Sequence, residues 1–154
     1  MDWTSFAREA AGGSLKNIAI MMSIIVPIMI LLELARELKL LELFSKKLAP
    51  ALKVFGMSPE AAFPLIAGIF FGISYGAGVI IDAAKSGKIT LKDMILVNVF
   101  LSVCHAIIED TALFLALGAS PWVIIPGRLA AALLITYLAA SSGLLKRYGG
   151  AVDT

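Results

Sequence analysis

The feature that most constrains this chain is the length of its apolar runs. Leu15 to Leu34 is about twenty residues, and its strongly polar members, Lys16, Asn17 and Glu33, lie near its two ends. As a helix rising ~1.5 Å per residue, such a run crosses the ~30 Å hydrocarbon layer of a bilayer. Leu91–Leu117 and Trp122 to about Leu145 are also long enough to span, and Pro59–Asp82 is apolar enough to be a fourth such run. A soluble domain of 154 residues cannot bury several of these in one core. Only 16% of the residues are charged, against about a quarter in soluble domains. The fold class is therefore an all-α integral membrane protein.

Charge and cysteine content narrow the partners. A formal net charge of +2 is too small for a nucleic-acid surface and fits lysines and arginines flanking membrane segments. The single cysteine, Cys104, excludes an internal disulfide. No cleavable signal is expected, because Asp2 and Glu9 stand where a basic region belongs. The organisation expected is a polar N-terminal segment (1–14), one membrane domain (15–147) and a short tail (148–154).

Within that domain Leu15–Leu34 reads as a spanning helix that Pro27 kinks. From Glu37 to Phe55 the pattern changes. Leu41, Phe44, Leu48, Leu52 and Phe55 share one helical face, with Lys39, Glu42, Lys46 and Lys53 opposite. Such a segment is expected to lie in the membrane interface with its lysines toward headgroups, interrupted near Pro50. Pro59–Asp82 has two readings. Its middle, Gly72-Ile-Ser-Tyr-Gly76-Ala-Gly78, weakens a helix, so two half-helices meeting at Ser74–Gly78 could form a re-entrant hairpin. Alternatively the glycines permit close packing of one spanning helix.

The next span carries the most informative residues. Asn98, Ser102, His105 and Glu109 are spaced to fall within ~60° of one another on a helix, forming one polar line. Intramembrane carboxylates and histidines are costly unless paired or hydrated, so this line faces protein or water. Asp110-Thr111 resembles a helix start, which places a break there. Asp110 and Arg128 lie at similar distances on either side of the turn near Ala119-Ser120, so an antiparallel helix pair brings them to one depth as a structural ion pair. Catalytic motifs are absent: no HExxH, no nucleophile elbow and no phosphate loop. No enzyme activity and no cofactor are expected. A metal site from Cys104, His105, Glu109 and Asp110 is disfavoured, because adjacent helical residues point ~100° apart.

The run Cys104-His105-Ala-Ile-Ile-Glu109-Asp110-Thr111, with Arg128 following Pro126-Gly127 and the glycine-rich Gly68–Gly78 stretch before it, resembles the nucleoside-recognition or Gate membrane proteins. The resemblance implies the order found in each repeat of concentrative nucleoside transporters: spanning helix, interfacial helix, re-entrant hairpin, broken spanning helix, spanning helix. It implies a substrate site at the hairpin tip (Ser74, Tyr75, Gly76) and the polar line (Asn98, Ser102, His105, Glu109). One repeat is half of such a transporter, so a homodimer, or a heterodimer with a sister protein, is implied. The expected function is a small transporter or transporter subunit for a polar or charged solute in the cell membrane. The alternative is a non-transporting membrane scaffold. Basic residues bear on orientation. With a hairpin, ten of them (Arg36, Lys39, Lys46, Lys47, Lys53, Lys85, Lys88, Lys92, Lys146, Arg147) share one side against two (Arg8, Lys16); with a simple span the split is seven against five.

Overall fold

The first helix, α1 (Trp3–Glu37), begins directly after Asp2, which caps it. The Asp2 carboxylate accepts from the Thr4 amide (3.1 Å) and hydroxyl (2.6 Å), which holds its acidity above that of an ordinary aspartate. The helix runs on through Pro27, so the segment expected to precede the span is continuous with it. The structure, a computed structural model, describes residues 2–142 and residue 145. Lys146, Arg147 and the 148–154 tail lie outside the described residues.

Lys39 in the left-handed region (φ 57°) ends the first helix and turns the chain into α2 (Leu40–Leu52). Pro50 lies inside α2, not at an interruption; the helix tightens to a 3₁₀ turn only at Lys53–Phe55. The expected faces sort as burial requires: Leu41 and Leu52 are buried, Leu48 and Phe55 pack at the edge of the core, and Lys46 and Lys53 are exposed. Phe44 stays about half exposed and stacks on Phe70 at 5.9 Å. The remaining helices are α3 (Ala62–Lys85), α4 (Leu91–Val103), α5 (Ile107–Ala116) and α6 (Pro121–Ser141). All described secondary structure is helical. Four stretches, Trp3–Ala35, Pro59–Lys85, Leu91–Ala116 and Pro121–Ser141, are long and apolar enough to cross a membrane.

The core lies where α3 and α4 meet, around Leu65, Leu96, Val97 and Leu101. The third helix is not a straight rod. Gly72 has φ 79° and ψ −178°, an extended left-handed geometry open essentially to glycine alone. In a continuous helix residues eight apart stand ~12 Å from each other. Here a Cβ placed on Gly76 would lie 2.8 Å from the Cα of Gly68. The two halves therefore fold back on each other at Gly72, and Gly68 and Gly76 are the contact. The reversal falls at Gly72 and not at Ser74–Gly78, because Gly76 is needed for the close approach.

Asp93 ties the ends of this folded-back unit together. Fully buried in the first turn of α4, it closes a capping box with Thr90 and accepts from both the amide (2.8 Å) and the hydroxyl (2.9 Å) of Ser58. Ser58 precedes α3 and Thr90 follows it by a short turn, so both ends of α3 lie together.

Replacing Gly76 by Ala forces a methyl group onto backbone, so a loss of about 1–3 kcal/mol is expected. Nothing lies within 4 Å of a Cβ on Gly78, where Ala is expected to be neutral or stabilising by up to ~1 kcal/mol. Thermal unfolding in detergent measures both; equal shifts for the two variants would contradict the folded-back α3.

Candidate functional site

The second irregular stretch separates α4 from α5. Cys104 (φ −134°, ψ 78°) leaves the helix and Ala106 takes the left-handed region (φ 44°, ψ 41°). The break thus falls at residues 104–106, not at Asp110-Thr111, and Asp110 lies within the first turn of α5. Nothing in the residue types marks Ala106 for positive φ. Its contact does: the Ala106 amide donates to the Gly68 carbonyl at 3.3 Å, and a Cβ on Gly72 would touch the Ala106 Cβ at 3.4 Å. The two interruptions meet.

Arg128, half-buried on α6, completes the junction. Its Nη1 donates to Asp110 Oδ2 at 2.7 Å, Nη2 to the His105 carbonyl at 3.0 Å and Nε to the Val103 carbonyl at 3.4 Å. A broken helix strands carbonyls at its C-terminal end and in the break beyond it, and one guanidinium satisfies one of each, Val103 and His105. The signs agree with both half-helices: the cation sits at the negative end of α4 and Asp110 at the positive end of α5. The sequence places Asp110 and Arg128 at one depth; the capping of α4 depends on where the helix breaks and is visible only in the fold.

The break also splits the expected polar line. Asn98 and Ser102 lie on α4, exposed, each bonding a carbonyl of its own helix: Asn98 Nδ2 to Met94 (2.8 Å) and Ser102 Oγ to Val99 (2.7 Å). His105 is within the break. Its Nδ1 lies 3.0 Å from the Leu101 carbonyl, which only accepts, so Nδ1 carries the proton and Nε2 is left to accept in the neutral ring. Glu109, partly buried in the first turn of α5, has no ionic or hydrogen-bond partner among the described residues. Of the hairpin residues, Ser74 is exposed, Tyr75 packs its ring on Phe71 (4.9 Å), and Gly76 is buried against Gly68 and so lies away from the reversal. Cys104 is fully buried, and among the described residues no three of the His, Cys, Asp and Glu side chains are placed to hold a metal ion.

Residues the sequence reading did not single out support this site. Leu101 packs its side chain against Gly68 and Gly76. Ser58 and Asp93 hold the ends of α3, and the Thr-x-x-Asp capping pattern at Thr90 is the signal that marks the latter.

Comparison with known proteins gives the family. The family described as Gate, nucleoside recognition, matches residues 18–120. A Bacillus subtilis (strain 168) protein described as the uncharacterized membrane protein YvoD is 33% identical over 134 residues, covering 87% of this chain and 43% of that protein. The chain thus spans less than half the length of the relative it matches. No solved structure matches it.

Removing the guanidinium strands Asp110 and two carbonyls, so Arg128→Ala is expected to cost about 3–5 kcal/mol of stability. Adding Asp110→Asn relieves the unpaired carboxylate and is expected to recover part of that loss, but not the part owed to the Val103 and His105 carbonyls. Thermal unfolding of the single and double variants in detergent measures this. A double variant no more stable than Arg128→Ala would remove the ion pair from the account.

Proposed function

The chain belongs to the Gate family of nucleoside-recognition membrane domains, and from that premise we propose that it is one half of a membrane transporter for a small polar or charged solute. One observation carries the reading: two helix interruptions abut, with the Ala106 amide on the Gly68 carbonyl, and His105 and Glu109 stand beside the junction. Irregular backbone at membrane depth persists only inside protein or along a water-filled path, and discontinuous helices are where transporters seat their cargo. The polar atoms left over, the His105 Nε2 and the Glu109 carboxylate, supply an acceptor and a charge for a solute or a coupled proton.

In this reading α3 is a re-entrant hairpin whose ends return to one face of the membrane. The second helix then lies in the interface on that face with its exposed lysines among headgroups. The lysine-rich end is cytoplasmic by the positive-inside rule, in a cell membrane. The site is completed by a second repeat, from another copy or from a sister protein. Two observations support that. Asn98 and Ser102 are polar yet exposed on α4, a face that lipid would penalise and a second repeat would cover. The relative is more than twice as long as the matched segment, which leaves room for two repeats in one chain. The chemistry is translocation, not catalysis.

Two measurements test this. Single cysteines at Lys47 and Ser86, in a Cys104→Ala background, are expected to label from the same side of the membrane; labelling from opposite sides removes the hairpin. For the site, thermal stabilisation by a nucleoside panel (uridine, adenosine) is read between about pH 5 and 8, the range in which histidine changes charge. Glu109→Gln is expected to remain folded, since a neutral amide costs less to bury than a carboxylate. Both Glu109→Gln and His105→Ala are expected to lose the pH dependence seen in the parent. Profiles unchanged in both variants would make the polar groups a structural network and favour a scaffold.

A further inference from the structure

The first helix is too long for the membrane it crosses. Its 35 residues extend ~52 Å at ~1.5 Å each. Even at ~40°, the upper end of the usual tilt range, a ~30 Å hydrocarbon layer takes up only about 26 of them. About nine residues must leave the core, and the fold shows which. A crevice of about 220 Å³ between α1 and α5 is lined by Asn17, Met21, Leu113 and Leu117. Asn17 is therefore level with the α5–α6 turn, where the body of the protein ends, and the helix before it stands beyond. Every residue from Asp2 to Met22 is exposed, Trp3 by 75% and Phe6 by 59%.

That protruding piece has two distinct faces. On a helical projection Trp3, Phe6, Ala7 and Ala10 fall within ~100° of one another, while Ser5, Arg8 and Glu9 lie opposite. Trp3 and Phe6 are in edge-to-face contact at 6.2 Å, one apolar patch. Immediately after it come Gly12 and Gly13, with nothing within 4 Å of either position. Paired glycines are where a helix bends most easily, and no neighbouring packing holds these straight.

We propose that Trp3–Ala11 is a surface anchor that bends at Gly12–Gly13 and lies in the headgroup layer of the leaflet opposite the lysine-rich end. The occupant of its apolar face is lipid. The segment continues the surface of a spanning helix whose body is already open to the bilayer. It carries an aromatic pair of the kind that settles at the membrane–water interface, and its opposite face holds one charge of each sign, Arg8 and Glu9, with no net charge to direct it to a charged protein. Lying flat, it pins the outer end of α1 and limits how far that helix tilts or slides.

The test uses the full chain reconstituted in phosphatidylcholine–phosphatidylglycerol bilayers. The chain has two tryptophans, so Trp122→Phe leaves Trp3 as the only one; Trp122 is 86% exposed, and the exchange disturbs no packing. Trp3 fluorescence is quenched by lipids brominated near the headgroup and, separately, by aqueous iodide. Lipid bromine is expected to quench at least roughly twofold more strongly than iodide, with blue-shifted emission, as for an interfacial indole. Gly12→Ala with Gly13→Ala stiffens the helix and is expected to reverse that ratio. Trp3 open to iodide in the parent would overturn the proposal. So would protection from both quenchers, which would mean that protein covers the face, and so would an unchanged ratio in the double alanine variant.

Discussion

A backbone amide inside a membrane has no water to fall back on, and this fold is organised around the place where two helices give up their internal hydrogen bonds together. The third helix reverses at Gly72 and the fourth ends at Val103, and each interruption strands polar groups that hydrocarbon cannot satisfy. The Ala106 amide meets the Gly68 carbonyl, so part of one deficit cancels part of the other. This mutual satisfaction requires close approach. Side chains are missing at Gly68 and Gly76 for that reason, and Leu101, reaching across from α4, covers the contact. The short capping network of Ser58, Thr90 and Asp93 sets the same geometry from the far end by fixing where α3 starts and α4 begins.

Much of this was legible in the residues, and the failures have physical causes. The apolar runs and the sidedness of Leu41, Leu52 and the lysines follow from one-dimensional patterns, because burial and exposure are local to a helix face. The depth match of Asp110 and Arg128 needed only the rise per residue and a turn. The residue pattern places the reversal a few positions too far along, because Gly68, Gly72, Gly76 and Gly78 are equivalent as composition. Which of them turns the chain and which admits a neighbour is decided by the opposing surface, and an isolated sequence does not contain it. Likewise Asp110-Thr111 has the chemistry of a helix start, yet the chain breaks at Cys104–Ala106, where no residue type announces it. Ala106 adopts a positive φ because its amide reaches Gly68, a tertiary reason outweighing a local preference.

The way charge is distributed follows from the same break. Arg128 is shared among a carboxylate and two carbonyls, so its charge is spent on structure. Asp110 neutralises it. Glu109, next in the chain, points from the same helical turn without a described partner, and His105 contributes its carbonyl and Nδ1 to the scaffold while keeping Nε2. Adjacent residues thus divide into those that hold the junction and those that remain available at it. Under the proposed transport reading, that division lets the site change protonation or bind cargo without dismantling the backbone contacts that create it.

Arg128 also fastens the sixth helix, which packs closely on α4, to both sides of the break between α4 and α5. The sixth helix buries only Ala132 and Thr136 among its described residues, one turn and two turns beyond Arg128 on the same face. That stripe of small residues lets α6 approach α4 closely. The guanidinium adds a polar tie to this packing, because its three bonds go to Val103 and His105 on the α4 side of the break and to Asp110 on the α5 side. No displacement of one half-helix against the other preserves all three. A rearrangement that separates α4 from α5 must therefore give up either the two carbonyl bonds or the Asp110 contact. The residue that stabilises the break is for that reason also the one that sets how the halves can separate.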